Sequence, residues 1–151
     1  MDSIRIIKSL ECFFLEKTKS LNNCQEPTRA YITNVFKTAK KETADYSKES
    51  ITIVYAKAKF EHRFDLFQNL GDWILFTRTL YPASLMTAST DYYNAIAQDS
   101  YYHCYRLMNR KWTLFEELAD KFPNLVQSLQ VVFIELDEKS QEPSSSLLIR
   151  T

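Results

Sequence analysis

Glycine is almost missing from this chain: Gly71 is the single one in 151 residues. β-Sandwiches, Rossmann folds and P-loop enzymes need several glycines, for tight turns and for close backbone approach to phosphate. Those classes are excluded. Cysteine is sparse too, with Cys12, Cys24 and Cys104 and no C-x-x-C pair. An odd count without paired spacing fits neither a disulfide framework nor a zinc knuckle, so free, buried thiols are expected. No excess of one charge exists either, because 19 Lys and Arg balance 19 Asp and Glu. A nucleic-acid binder normally carries a clear basic surplus to neutralise phosphates, so no nucleic-acid partner is expected. Long apolar runs are lacking, and a membrane span needs about twenty such residues. Asp2, Arg5 and Lys8 interrupt the start of the chain, which argues against a signal peptide. A cytoplasmic protein without membrane association is the expectation.

What is present is helical. Apolar residues make up 45% of the chain and charged residues 25%, enough for one domain with its own core. Ser3 is a plausible N-cap for a helix reaching about Leu21, with Ile6, Leu10, Phe13 and Phe14 on one stripe. Pro27 suits the first turn of a second helix carrying Tyr31, Ile32, Val35, Phe36 and Ala39. Residues 40–50 turn polar and are expected as a linker or long surface loop. The β-branched run Ile51 to Val54 favours a strand by propensity. No partner strand is available, so a short helix is expected over 51–58.

Residues 60–81 are apolar all round. Phe60, Phe64, Phe67, Leu70, Gly71 and Ile74 lie on one face, with Leu66, Trp73, Phe76 and Leu80 opposite. This is the expected central helix, ended by Pro82. Ser89 or Thr90 can cap the next, whose inner face is Tyr93, Ile96, Ala97, Tyr101, Cys104, Leu107 and Met108. A last helix starts near Trp112 and is kinked or restarted at Pro123. The fold class is therefore all-α: a single-domain bundle of five to six helices over residues 1–137, with a flexible tail over 138–151.

The segments LGDWILFTRTLYPASL at 70–85, DYYNAIAQDSYY at 91–102 and LFEELADKFPNLVQSL at 114–129 carry a resemblance. Together they resemble an uncharacterised family of bacterial helical proteins with an LGD-x-x-L-F segment followed by a D-Y-Y segment. The resemblance covers about residues 60–133. It implies an all-α fold and groups the three segments in one module, and it implies no activity.

Candidate functional residues fall into two groups. Gly71 in mid-helix costs about 1 kcal/mol relative to alanine, which points to close approach of another helix or of a ligand. Asp72 follows it in an apolar stretch, so its carboxylate needs a partner, with Tyr92, Tyr93 or Arg78 as the candidates. Asp99 and His103 stand at i and i+4, the spacing of a weak helical pair or of an acid–base dyad. Gly71, Asp72, Asp99 and His103 thus define a possible ligand pocket. H-E-x-x-H is absent, and with only His62 or Asp65 as a third ligand no metal site or cofactor is expected.

The second group is aromatic. Five tyrosines fall between Tyr92 and Tyr105 and cannot all face inward, which leaves Tyr92, Tyr102 and Tyr105, with Arg106, as an expected interaction surface. Glu116, Glu117 and Asp120 make an acidic ridge expected to be solvated. Charge is polarised, with 11 Lys/Arg against 7 Asp/Glu over residues 1–60 and 6 against 10 over 61–137. No catalytic signature appears. The sequence favours a non-enzymatic adaptor or regulatory protein acting through a protein partner or as a homo-oligomer. The alternative is a helical enzyme or small-ligand binder with a pocket near Gly71, Asp72 and the tyrosine-rich helix.

Overall fold

The computed structural model describes residues 24–42, 48–81 and 89–140. They form α1 (Glu26–Glu42), α2 (Lys48–Glu61), α3 (Phe64–Leu80), α4 (Thr90–Leu107) and α5 (Thr113–Ser140), packed as an all-α bundle with no strand among the described residues. The expected first helix from Ser3 to Leu21 lies outside them, as does the tail from 141 onward. α5 itself continues to Ser140, past the expected boundary at 137.

The β-branched run from Ile51 is helical, within α2. An isolated strand would leave its backbone groups unpaired, whereas a helix satisfies them internally and packs Ile51 and Ala58 into the core at 0% exposure. The polar stretch 40–50 is less of a loop than its composition implies. α1 runs through Lys40, Lys41 and Glu42, and α2 begins at Lys48. Lysine and glutamate are good helix formers, so low hydrophobicity did not end either helix.

The expected helix over 60–81 is two helices. Its break comes at His62, whose φ of 53° lies in the left-handed region. The Arg63 N–H reaches back to the Ala58 carbonyl at 3.1 Å, the six-to-one bond of a Schellman-type C-cap. Phe60 therefore belongs to α2 and is 87% exposed, not part of the α3 core face. The end of α4 repeats the device: Asn109 has φ 56°, and the Arg110 N–H donates to the Tyr105 carbonyl at 2.9 Å. Glycine normally fills such positions. In a chain with one glycine, His62 and Asn109 fill them.

α3 is the central helix and packs against all four others. Phe67, Leu70, Gly71, Ile74, Leu75 and Phe76 are buried along it. α4 lies against both α3 and α5. Its start is capped by Ser89, whose Oγ accepts from the Tyr92 N–H at 3.1 Å. Pro123 sits inside one continuous α5 and does not restart it. The N-terminus of α1 is capped from α5, where the Glu117 carboxylate accepts the Gln25 N–H at 3.0 Å. Glu117 also pairs with Lys121 at 3.0 Å, and its side chain is only 11% exposed. The solvated-ridge reading therefore fails at Glu117, because the exposed start of α1 is a ready acceptor of negative charge.

Candidate functional site

A part-buried carboxylate stands where three helices of the bundle meet. Asp72, on α3, accepts hydrogen bonds from the Tyr31 hydroxyl at 2.7 Å to Oδ1 and 2.9 Å to Oδ2, and from the Tyr101 hydroxyl at 2.8 Å to Oδ1. Gln68, one turn earlier on α3, donates to the Tyr31 oxygen at 3.1 Å. The site thus joins α1, α3 and α4. Both phenol rings lean on Phe115 of α5, Tyr31 edge-on at 5.3 Å and Tyr101 at 6.2 Å between centroids. The packing fixes the two rings, and their hydroxyls converge on one oxygen.

Gly71 explains how Tyr101 gets there. A Cβ at position 71 would sit 2.9 Å from Cζ and Cε1 of the Tyr101 ring. The glycine is a close-approach device between helices, and the ring occupies the space a ligand would need at that backbone.

Burial pushes the Asp72 carboxyl up to about 6, against the opposing pull of the hydrogen bonds from Tyr31 and Tyr101. Burial and the Asp72 charge raise both phenols well above their ordinary range. They stay protonated donors throughout the neutral range. The Cys104 thiol, fully buried, is raised by the same two causes and is not an activated nucleophile. Cys24 is likewise a free, buried thiol raised mainly by its burial. Cys12 lies outside the described residues.

The expected partners of Asp72 are not the observed ones. Tyr92 and Tyr93 stand at the start of α4, about two turns away from Tyr101 along the helix. The middle of α3 meets α4 near Tyr101 instead. Tyr93 is buried elsewhere in the core. Tyr92 donates to or accepts from the Thr52 hydroxyl at 2.7 Å, tying α4 to α2. Tyr31 stands 41 residues before Asp72, and no local pattern announces that contact.

Asp99 and His103 do meet. His103 Nε2 lies 3.2 Å from Asp99 Oδ2, and the imidazole stacks on Phe67 at 4.4 Å with planes 9° apart. The Tyr55 hydroxyl on α2 donates a short hydrogen bond to the same carboxylate. Burial, followed by that bond and the Asp99 charge, raises the Tyr55 phenol. Lys59 lies over the Tyr55 ring at 4.7 Å. Gly71–Asp72 and Asp99–His103 are thus two clusters, each with its own tyrosine donors. Among the described residues no hydrogen bond joins them, and no group of three His, Cys, Asp or Glu converges as metal ligands. His62 and Asp65 take no part in either cluster: His62 caps α2, and Asp65 pairs with Arg63 at 2.6 Å.

The aromatic surface divides. Tyr102, 39% exposed, lies 6.1 Å from the ring of the half-buried Tyr105, and Arg106 is exposed one turn after Tyr102. Tyr92, about 15 Å back along the helix, is not brought to them. Trp112, 47% exposed and stacked on Phe115 at 6.1 Å, stands just beyond the end of α4. Sequence reasoning did not single it out as a surface residue.

No protein-family model, curated protein or solved structure matches the chain. Among the described residues no helix is long and apolar enough to cross a membrane.

Proposed function

We propose that this chain is a non-enzymatic helical protein that acts through protein contacts, in an adaptor or regulatory role, with the outer face of α4 as its contact surface. The observation that carries the reading is the exposed Tyr102, paired ring to ring with Tyr105 and followed by Arg106. Tyrosine and arginine are enriched among the residues that anchor interfaces, tyrosine because it buries much area for little lost side-chain freedom and arginine because its planar fork donates several hydrogen bonds. The reading of Asp72 as an internal fastener accords with it: its donors are the fully buried Tyr101 and the half-buried Tyr31, both packed against Phe115. A ligand site at Gly71 is disfavoured by the Tyr101 ring that fills it.

Native mass spectrometry of the chain, purified gently from its own source, tests this. The expected species is the chain with a second polypeptide or with copies of itself, and Tyr102→Ala should deplete that species with helicity unchanged. A bare monomer, or a complex that survives the substitution, overturns the reading.

A further inference from the structure

The α4–α5 corner concentrates positive charge in the acidic part of the chain. Arg106, Arg110 and Lys111 are half of the six Lys and Arg between residues 61 and 137, and all three are exposed. Of the other three cations in this region, Arg63 pairs with Asp65 and Lys121 with Glu117, and Arg78 is half-buried. Among the described residues Arg106, Arg110 and Lys111 form no ion pair. On the two helices that meet here, Asp99 is committed to Tyr55 and His103, and Glu117 to Gln25 and Lys121.

The corner is also held in shape. Asn109 and Arg110 both adopt left-handed backbone, with φ 56° and 60°. The Arg110 N–H to Tyr105 carbonyl bond at 2.9 Å and the Lys111 N–H to Met108 carbonyl bond at 3.1 Å pin the turn. A bulky residue is rare in that region of backbone space. Along the chain Tyr102 precedes and Trp112 follows the cations, and both expose aromatic surface.

Resting on the contact reading above, we propose that the partner presents an acidic segment that also carries apolar side chains, which docks on Arg106, Arg110 and Lys111 between Tyr102 and Trp112. Carboxylates answer the three exposed cations, and the apolar side chains cover the two aromatic surfaces. A short acidic segment fits better than a long polyanion. Beyond the corner, residues 61–137 carry more Asp and Glu than Lys and Arg, and a nucleic acid would be repelled there.

The test is fluorescence anisotropy on the full chain, with a labelled amphipathic peptide of Glu and Leu against the same peptide with Gln for Glu. The acidic peptide should bind about tenfold tighter or better, and added salt should erase the preference. Arg106→Glu with Lys111→Glu should abolish that preference with helicity intact, and the milder Arg106→Gln with Lys111→Gln should weaken it. Equal binding of the two peptides, no binding of either, or tighter binding of a dT oligonucleotide overturns the proposal. The two readings fail separately. A native complex lost in Tyr102→Ala yet indifferent to the charge reversals keeps the contact surface and removes the acidic partner. A complex indifferent to both removes both.

Discussion

The ring of Tyr101 lies where a side chain at position 71 would begin, with Cζ and Cε1 2.9 Å from the Cβ that Gly71 lacks. The ring cannot swing aside freely, because its hydroxyl is bonded to Asp72 at 2.8 Å and its face rests near Phe115. Gly71→Ala gains about 1 kcal/mol in helix propensity and incurs overpacking of about 1–3 kcal/mol. Net destabilisation of about 1 kcal/mol is expected, read as a lower urea midpoint. Tyr101→Phe frees the ring, so the double variant should be less destabilised than the two singles combined. Strict additivity would mean that the ring is not pinned by Asp72.

The Asp72 carboxyl titrates at about 6, raised by burial above its ordinary 3.8. Between those values the folded chain holds a proton that the unfolded chain has released. This group's contribution is therefore fully present below about pH 4 and declines as pH rises to 6. At neutral pH the ionised, buried carboxylate weakens the fold by a few kcal/mol at most relative to its protonated form. Asp72→Asn has nothing to ionise. Urea titrations of both proteins at pH 4.5 and pH 7 should show a smaller fall in stability with pH in the variant. Parallel pH profiles would remove the assignment.

Glu117 has the opposite sign. Burial raises its carboxyl, but the hydrogen bonds and the Lys121 charge outweigh that and leave it below its ordinary 4.5. Its stabilisation is present above the unfolded value and is lost as pH falls through the lower, folded one. Glu117→Gln removes a charged acceptor from the Gln25 N–H at the start of α1. A loss of about 1 kcal/mol at pH 7, shrinking in acid, is expected from urea midpoints. An equal loss at both pH values would mean that packing, not charge, holds the helix start.

Much of this fold is legible in local pattern. Ser89 before Tyr92 announces the start of α4, and the all-round apolar character of Phe64 to Leu80 announces a helix that others surround. The breaks are less visible, because glycine usually signals them and here His62 and Asn109 take the left-handed positions. The site is legible only in half. Asp99 and His103 meet because helical spacing alone puts them together, at 3.2 Å. Tyr31 and Asp72 meet because two distant helices pack, and the periodicity of each fixes its inward face but not its neighbour. Helical spacing places Tyr101 inward, where it is fully buried, yet its hydroxyl's destination depends on the depth at which α3 and α4 cross.

Arg110 separates stability from binding. Its φ of 60° is a conformation that an L side chain adopts at a cost of about 1 kcal/mol and glycine adopts freely. Arg110→Gly removes that strain while keeping the turn, since the Arg110 N–H to Tyr105 carbonyl bond uses backbone atoms alone. The variant should be more stable than the parent by up to about 1 kcal/mol, read as a higher melting temperature and urea midpoint. It should also bind the acidic peptide more weakly, because one of three exposed cations is gone. Residues kept at the expense of stability are those used for something else, and opposite movement of the two readouts is that signature. A variant that gains stability and binds the peptide as before would leave Arg110 outside the contact surface. One that loses stability would mean that its side chain packs against the bundle.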